Sequence, residues 1–301
     1  MRSRFAPDRQ LTVRMVTVVF LLGLLYTAFV VALIVLLKDV ALVVVIAAAL
    51  LAAQYWYSDR IALFAMRAHE VTPEQQPQLH GAVERLCALA DMPKPRLAVS
   101  DTDLPNAFAT GRNADHAVLC VTTGLLRRLE GEELDGVLAH ELSHVAHRDV
   151  AVITIASFLG ILAGLVARFA FYSGLFGRGR RSNPQIAAVL AALMAVSVLV
   201  YAISFLLIRT LSRYRELAAD RSAAQLTGRP SALASALTKV SGEIGQIPTK
   251  DLRMAQNFNA FFFAPALTQK RSFGNLFSTH PTLEQRLAAL AKIATDLGRT
   301  G

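Results

Sequence analysis

Long uncharged apolar runs alternate with stretches of mixed polarity along this chain. Met15 to Leu37 carries no charge and has a basic stretch before it. It is too long for the core of a signal peptide, and no small-residue cleavage pattern follows, so it predicts a transmembrane helix. Lys38-Asp39 makes a very short turn, and Val40 to Tyr57 runs back, closed by Tyr55, Trp56 and Tyr57 as an interfacial aromatic belt. A second apolar pair follows, from Val150 to Tyr172 and from Ile186 to Ile208, with Arg168 near the end of its first run and a Gly/Arg loop between. The pattern therefore predicts two hydrophobic hairpins, one in residues 1–58 (about 15–37 and 40–57) and one in residues 150–208 (about 150–172 and 186–208).

The polar sequence falls in two parts, 59–149 and 209–301, which are expected to form one domain. Pro73 to Ala90 has helical spacing, with Leu79, Val83, Leu86 and Leu89 on one face, and Met92-Pro93-Lys94-Pro95 ends it. Arg96 to Ser100, Ala107 to Thr110 and Ala117 to Thr122 are short and partly β-branched, with turn residues between them, and predict a small antiparallel sheet. Glu132 opens a further helix with acidic residues in its first turn. Leu283 to Leu297 reads as an amphipathic closing helix, with Thr282 and Gln285 as a capping box.

Composition agrees with a membrane protein: 54% of the 301 residues are hydrophobic and the mean hydropathy is +0.43. The net charge of +9 is read as membrane-edge anchoring rather than nucleic-acid binding, because the arginines gather at the ends of apolar runs. Cys87 and Cys120 stand far apart with no CxxC spacing, which excludes a disulfide framework and a cysteine metal site and points to a reducing compartment. Arg2, Arg4, Arg9 and Arg14 place the N-terminus, and the polar domain with it, in the cytoplasm. Arg178, Arg180 and Arg181 then fall on the far side, against the positive-inside tendency. Either that tendency is broken here or the second hairpin lies shallow or in a protein-lined cleft.

The chemistry is concentrated in His140-Glu141-Leu142-Ser143-His144. Four residues apart on a helix, His140 and His144 present two imidazoles to one ion, and Glu141 stands beside it as a base for a water that zinc acidifies. A zinc hydrolase usually takes a third protein ligand, and His147, Asp149, Glu216, Asp220 and His280 are the candidates. His147 points partly away, and the metzincin pattern is excluded because His147 and Val150 stand where it needs Gly and His. Glu216 is favoured, because the second hairpin returns its ends to one membrane face and so makes the two flanking helices neighbours. Asp220, one turn on, can accept a hydrogen bond from a ligand imidazole and fix its orientation. The plainer alternative is an ordinary solvated helix start with ion pairs.

HELSHVAHRDV at 140–150, SRYRELAADRSAA at 212–224, PNAFATGR at 105–112 and FSTHPTLEQRL at 277–287 together resemble the HtpX family of membrane-bound zinc metallopeptidases, bacterial relatives of the CAAX prenyl protease. The resemblance covers nearly the whole chain. It implies a mainly α, α+β membrane protein with a gluzincin-type peptidase domain and one Zn²⁺ per chain. His140, His144 and Glu216 would be the ligands, Glu141 the general base and later proton donor, and Asp220 the partner behind a ligand. Asn106 and Ala107 would lie on an edge strand that pairs with an extended peptide, although Asn106 alternatively satisfies only a turn. His280 would donate to the oxyanion, or serve only as a helix-boundary residue. The implied role is cleavage of polypeptides, misfolded membrane proteins among them, at the cytoplasmic face of the bacterial inner membrane.

Two rivals remain at this level. A scaffold or chaperone-like factor would keep the fold without turnover, and the intact Glu141 argues against it. Intramembrane proteolysis is opposed by a polar domain that carries Asn106, Glu216 and His280 outside the spans. His69, His80 and His116 have no partner motif and read as surface or structural residues, and Phe258, Phe261, Phe262 and Phe263 read as core packing or as a membrane-facing or substrate-contacting patch.

Overall fold

The computed structural model describes residues 9–37, 40–147, 162–164, 166–168, 171, 184–244 and 281–300. The chain divides into two compact units, one of residues 1–11, 57–151 and 212–301 and the other of 12–56 and 152–211. Most of the apolar run predicted at 150–172, the phenylalanines at 258–263, and His280 lie outside the described residues.

The apolar unit is built on α1 (Arg9–Leu37), α2 (Val40–Trp56) and the first part of α7 (Pro184–Thr227). α1 and α7 are long and apolar enough to cross a membrane, yet only 22% and 17% of their most hydrophobic windows are buried. A helix from a soluble core would bury most of such a window. These instead turn Phe20, Val35, Val198 and Leu199 outward, as a helix facing lipid does. Their packed seam repeats in heptad fashion: Val18, Leu22, Phe29 and Leu33 of α1 share a cluster with Leu193, Val200 and Leu211 of α7. Ser197 and Ser204, on the same stripe of α7, are small and fully buried, which permits close helix approach. Ser204 spends its hydroxyl on the Val200 carbonyl at 2.7 Å.

The polar unit is layered around a four-stranded sheet in the order β1-β2-β4-β3, with β1 Ala68–Glu70, β2 Arg96–Ser100, β3 Ala107–Thr110 and β4 Val118–Thr122. The sheet is mixed, which corrects the antiparallel expectation: β2 and β4 run parallel, while β1–β2 and β3–β4 are antiparallel. After β2 the chain travels to the far edge to lay down β3, and β4 then turns back into the gap beside β2. β1 escaped the pattern because it is only three residues long and alternation cannot be seen over so short a span. β3 is an edge strand, as expected.

One sheet face is covered by α4 (Pro77–Ala90), α6 (Gly131–Ala146), α8 (Pro230–Ile244) and α9 (Leu283–Thr300) through a core that includes Leu79, Val83, Leu119, Val121, Leu138, Leu142, Leu233 and Leu290. Gly136 lets α6 and α8 touch: a Cβ there would stand 3.3 Å from the Leu233 Cα. The other face is covered by α3 (Ser58–Ala65), which packs Ala62, Leu63 and Met66 on Ala98, Phe108, Val118 and Cys120. α4 starts at Pro77 rather than Pro73, with proline at its first turn, where a missing N–H is harmless. α6 begins in a capping box between Glu130 and Glu133, and the expected Thr282–Gln285 pair caps α9 at 3.2 and 3.3 Å.

Candidate metal centre

α6 buries a polar stripe that a helix of this hydrophobic environment would exclude without a reason: His140 is 0%, Glu141 4% and His144 6% exposed. The 3.6-residue turn stacks the two imidazoles, whose rings meet edge to face with centroids 4.8 Å apart. α7 enters beside them and contributes Glu216 and Asp220, one turn apart, both buried. His140 Nε2 lies 3.5 Å from Glu216 Oε2, and His144 Nε2 lies 3.6 Å from Glu216 Oε1. One donor atom from each of His140, His144 and Glu216 falls within 4.8 Å of the others.

Those separations test the fit of a metal. They exceed an ordinary hydrogen bond, which favours 2.7–3.2 Å. The two His–Glu216 separations are close to the spacing of about 3.3 Å between donors that sit about 2.05 Å from one tetrahedral ion. Two imidazoles and a carboxylate are also a donor set that suits zinc. The residues fit the group.

Behind the donors lies a second layer of contacts. His140 Nδ1 is 2.9 Å from Asp220 Oδ1, which orients the ring and leaves Nε2 facing Glu216. Asp220 is in turn held by Arg286 of α9, whose Nε and Nη2 donate to its two oxygens at 2.7 and 2.6 Å. Arg286 is 1% exposed, and its Nη1 lies 3.8 Å from Glu216. Arg215 of α7 places its Nη2 3.4 Å from His144 Nδ1. Burial opposes the ionised form of Asp220, but the Arg286 guanidinium outweighs it and holds the carboxyl below its usual range. For His140 burial opposes the charged form, yet the hydrogen bond to Asp220 and the nearby Glu216 carboxylate prevail and push the ring up to about 9. The carboxylates that favour a proton on this ring would favour a cation too, and a metal ligated by the neutral ring would displace that proton.

Glu141 faces the edge strand. Thr122 N donates to the Asn106 carbonyl at 2.9 Å, and Asn106 N donates to Thr122 Oγ1 at 2.9 Å, so Asn106 spends its backbone on β4. By antiparallel alternation, Ala107 and Ala109 direct theirs to the open edge. Ala109 N–H reaches Glu141 Oε2 at 3.0 Å. Burial raises the Glu141 pKa above the ordinary carboxylate range, and the neighbouring His140 and His144 only partly oppose this.

His140, Glu141, His144, Glu216, Asp220 and the Asn106–Ala107 strand are therefore brought together. His147 caps α6 and turns its Nδ1 to the Ser143 carbonyl at 2.8 Å, away from the cluster. Asp149 and His280 lie outside the described residues. His69 and His116 are exposed, while His80 is buried and structural, its ring bonded to the Val71 carbonyl and Lys94. Arg286 was missed by sequence reasoning. The signal was present, since Leu283, Arg286, Leu290 and Ile293 form one helical stripe, and a charge on that apolar face needs a buried partner.

A helix bearing two histidines, a carboxylate from a second helix, an edge strand beside them and lipid-facing helices in the same chain define a membrane metallopeptidase. Residues 73–294 match the model of peptidase family M48. The chain is 68% identical to "Protease HtpX homolog 1" of Streptomyces coelicolor, over 99% of this chain and 97% of that one. It is 49% identical to "Protease HtpX homolog" of Moorella thermoacetica, over 99% of both. The crystal structure of S. mikatae Ste24p shares the fold, with a TM-score of 0.50 and 16% identity, covering 94% of this chain and 66% of that one. The chain belongs to peptidase family M48, among its HtpX-family membrane metallopeptidases.

Proposed function

We propose that this protein is a zinc-dependent endopeptidase that cleaves misfolded membrane proteins at the cytoplasmic surface of a bacterial inner membrane, which it spans several times. The observation that carries this is the convergence of His140, His144 and Glu216 within 4.8 Å, beside an edge strand whose Ala109 N–H touches Glu141. His140, His144 and Glu216 hold one zinc ion per chain. When bound, zinc supplies a Lewis acid that lowers the pKa of water to about 7 and polarises a carbonyl oxygen. Glu141 takes the proton of the attacking water, and its burial-raised pKa then suits it to hand that proton to the leaving amine. Asp220 fixes the His140 ring, and Arg286 fixes Asp220. The substrate lies as an extended strand along Ala107 and Ala109, with Asn106 shaping the strand's start. His280 is assigned to the oxyanion on the motif alone. The cytoplasmic orientation follows from Arg2, Arg4, Arg9 and Arg14.

The test is purified protein in lipid vesicles, given one membrane protein in folded and in misfolded form. The misfolded form should be cut, the folded form spared, and cutting should stop with a chelator and return with zinc. Equal cutting of both forms contradicts the quality-control role, and cutting that survives chelation contradicts the metal.

A further inference from the structure

α3 covers the outer face of the sheet, and its own outer face carries Arg60, Ile61 and Phe64 as one exposed helical stripe, with exposed Tyr57 capping its start and exposed Arg67 in the turn that follows it. Tyr57 is 50%, Ile61 55% and Phe64 88% exposed, while Ala62 on the opposite side is 1%. The inner side is fixed twice over, by Ala62, Leu63 and Met66 packed on the sheet, and by the Asp59–Arg96 ion pair at 2.6 Å. The exposed stripe is thus held outward by the fold and cannot rotate inward. Leaving Phe64 and Ile61 in water forfeits the stabilisation that burial of each would give, about 1.5–3 kcal/mol for a full side chain.

Composition identifies what covers it. Aromatic and aliphatic side chains mixed with arginines, with few acids, mark a helix lying in the plane of a membrane interface. Arg60 already stacks over the Tyr57 ring, 5.7 Å from its centroid, so its charge and its apolar stem are presented together. A second copy fits poorly: three apolar side chains fall far short of the roughly 1,200–2,000 Å² that a stable interface buries, and two-fold pairing would set arginines against arginines. α3 also follows directly on the apolar α2 in the chain.

We infer that the outer face of α3 is a membrane-docking surface, with Tyr57, Ile61 and Phe64 among the upper acyl chains and Arg60 on anionic headgroups. The docking fixes the sheet, and with it the β3 edge, relative to the bilayer surface. This rests on the chain being a membrane protein and is independent of which metal or substrate the site takes.

The experiment is fluorescence. Trp56 is the only tryptophan, so Phe64→Trp in a Trp56→Phe background places one reporter on the stripe, and Ile61→Trp gives a second should the first fail to fold. Leu89→Trp in the same background is the control, at an exposed position of α4 on the other side of the sheet. In vesicles of phosphatidylcholine and phosphatidylglycerol brominated near the glycerol end of the acyl chains, the stripe reporters should lose most of their emission and resist aqueous iodide. The Leu89→Trp reporter should do the reverse. Replacing phosphatidylglycerol with phosphatidylcholine should weaken lipid quenching of the stripe, and unchanged quenching removes the arginine contribution. Quenching of the stripe by iodide alone overturns the surface, and shielding from both quenchers assigns it to a protein partner instead.

Discussion

The two ends of α6 carry buried polar clusters of opposite character. At the first end, Glu133 is closed on itself: Ser235 donates to one carboxylate oxygen at 2.6 Å, while Lys239 and the Glu130 N–H donate to the other at 2.8 and 3.0 Å. At the other end, His140 and His144 stand 3.5 and 3.6 Å from Glu216, too far for good hydrogen bonds and well placed to share an ion. Both clusters join α6 to another helix. What separates a structural cluster from a chemical one is convergence. Structural partners close pairwise at contact distance, whereas a metal centre holds its donors apart around a common point.

Breaking the far end should therefore remove metal, and breaking the near end should only loosen the helix pair. Glu216→Ala takes away a donor, and metal analysis of the purified protein should show most of the bound metal lost. Unchanged metal content would remove Glu216 from the site. Asp220→Asn keeps the donors but weakens the hold on the His140 ring, so metal affinity should fall by about 10–100-fold in a competition titration. An affinity equal to wild type would show that His140 is oriented by the backbone alone. Arg286→Ala leaves Asp220 buried without its guanidinium, and stability should fall by about 3–5 kcal/mol in denaturant unfolding of the detergent-solubilised chain. Restoring only the charge with Arg286→Lys should recover part of that, since lysine cannot make the two-pronged contact.

Lys239→Met touches only the near end and should leave metal content and cleavage intact. Its effect lies in pH dependence. Burial raises the Glu133 pKa, but the Lys239 and Ser235 hydrogen bonds outweigh it and set the carboxyl below its ordinary 4.5. A carboxylate with a depressed folded pKa stabilises above its unfolded value and loses that contribution as pH falls through the folded one. Wild type should thus be slightly more stable than the variant above about pH 4.5, with the gap closing as the pH drops further. A gap that persists in strong acid would show that Lys239 acts by packing.

Much of this was readable from the sequence because periodicity and spacing are local. His140 and His144 lie four residues apart on one helix, and a long uncharged run fixes α1 with little ambiguity. A hairpin returning its ends together was the reason to expect Glu216 beside α6, and most of that hairpin's first run lies outside the described residues. The direction of β4 was not readable, because alternation reports which face a residue takes and says nothing of whether its neighbour runs parallel. Arg286 needed the eye to treat a charge on an apolar stripe as information rather than noise. The outward stripe of α3 was not readable either, since so short a helix does not tell from sequence which of its sides the sheet occupies.

Glu141→Gln gives the most direct test of the central claim, with metal content and peptide cleavage measured on one preparation in detergent. It keeps the size of the side chain and every donor to the ion while removing the base. Full metal occupancy and a loss of cleavage of about 10²–10⁴-fold are expected. Cleavage at the wild-type rate with metal bound would contradict the assignment of Glu141 as the group that moves the proton.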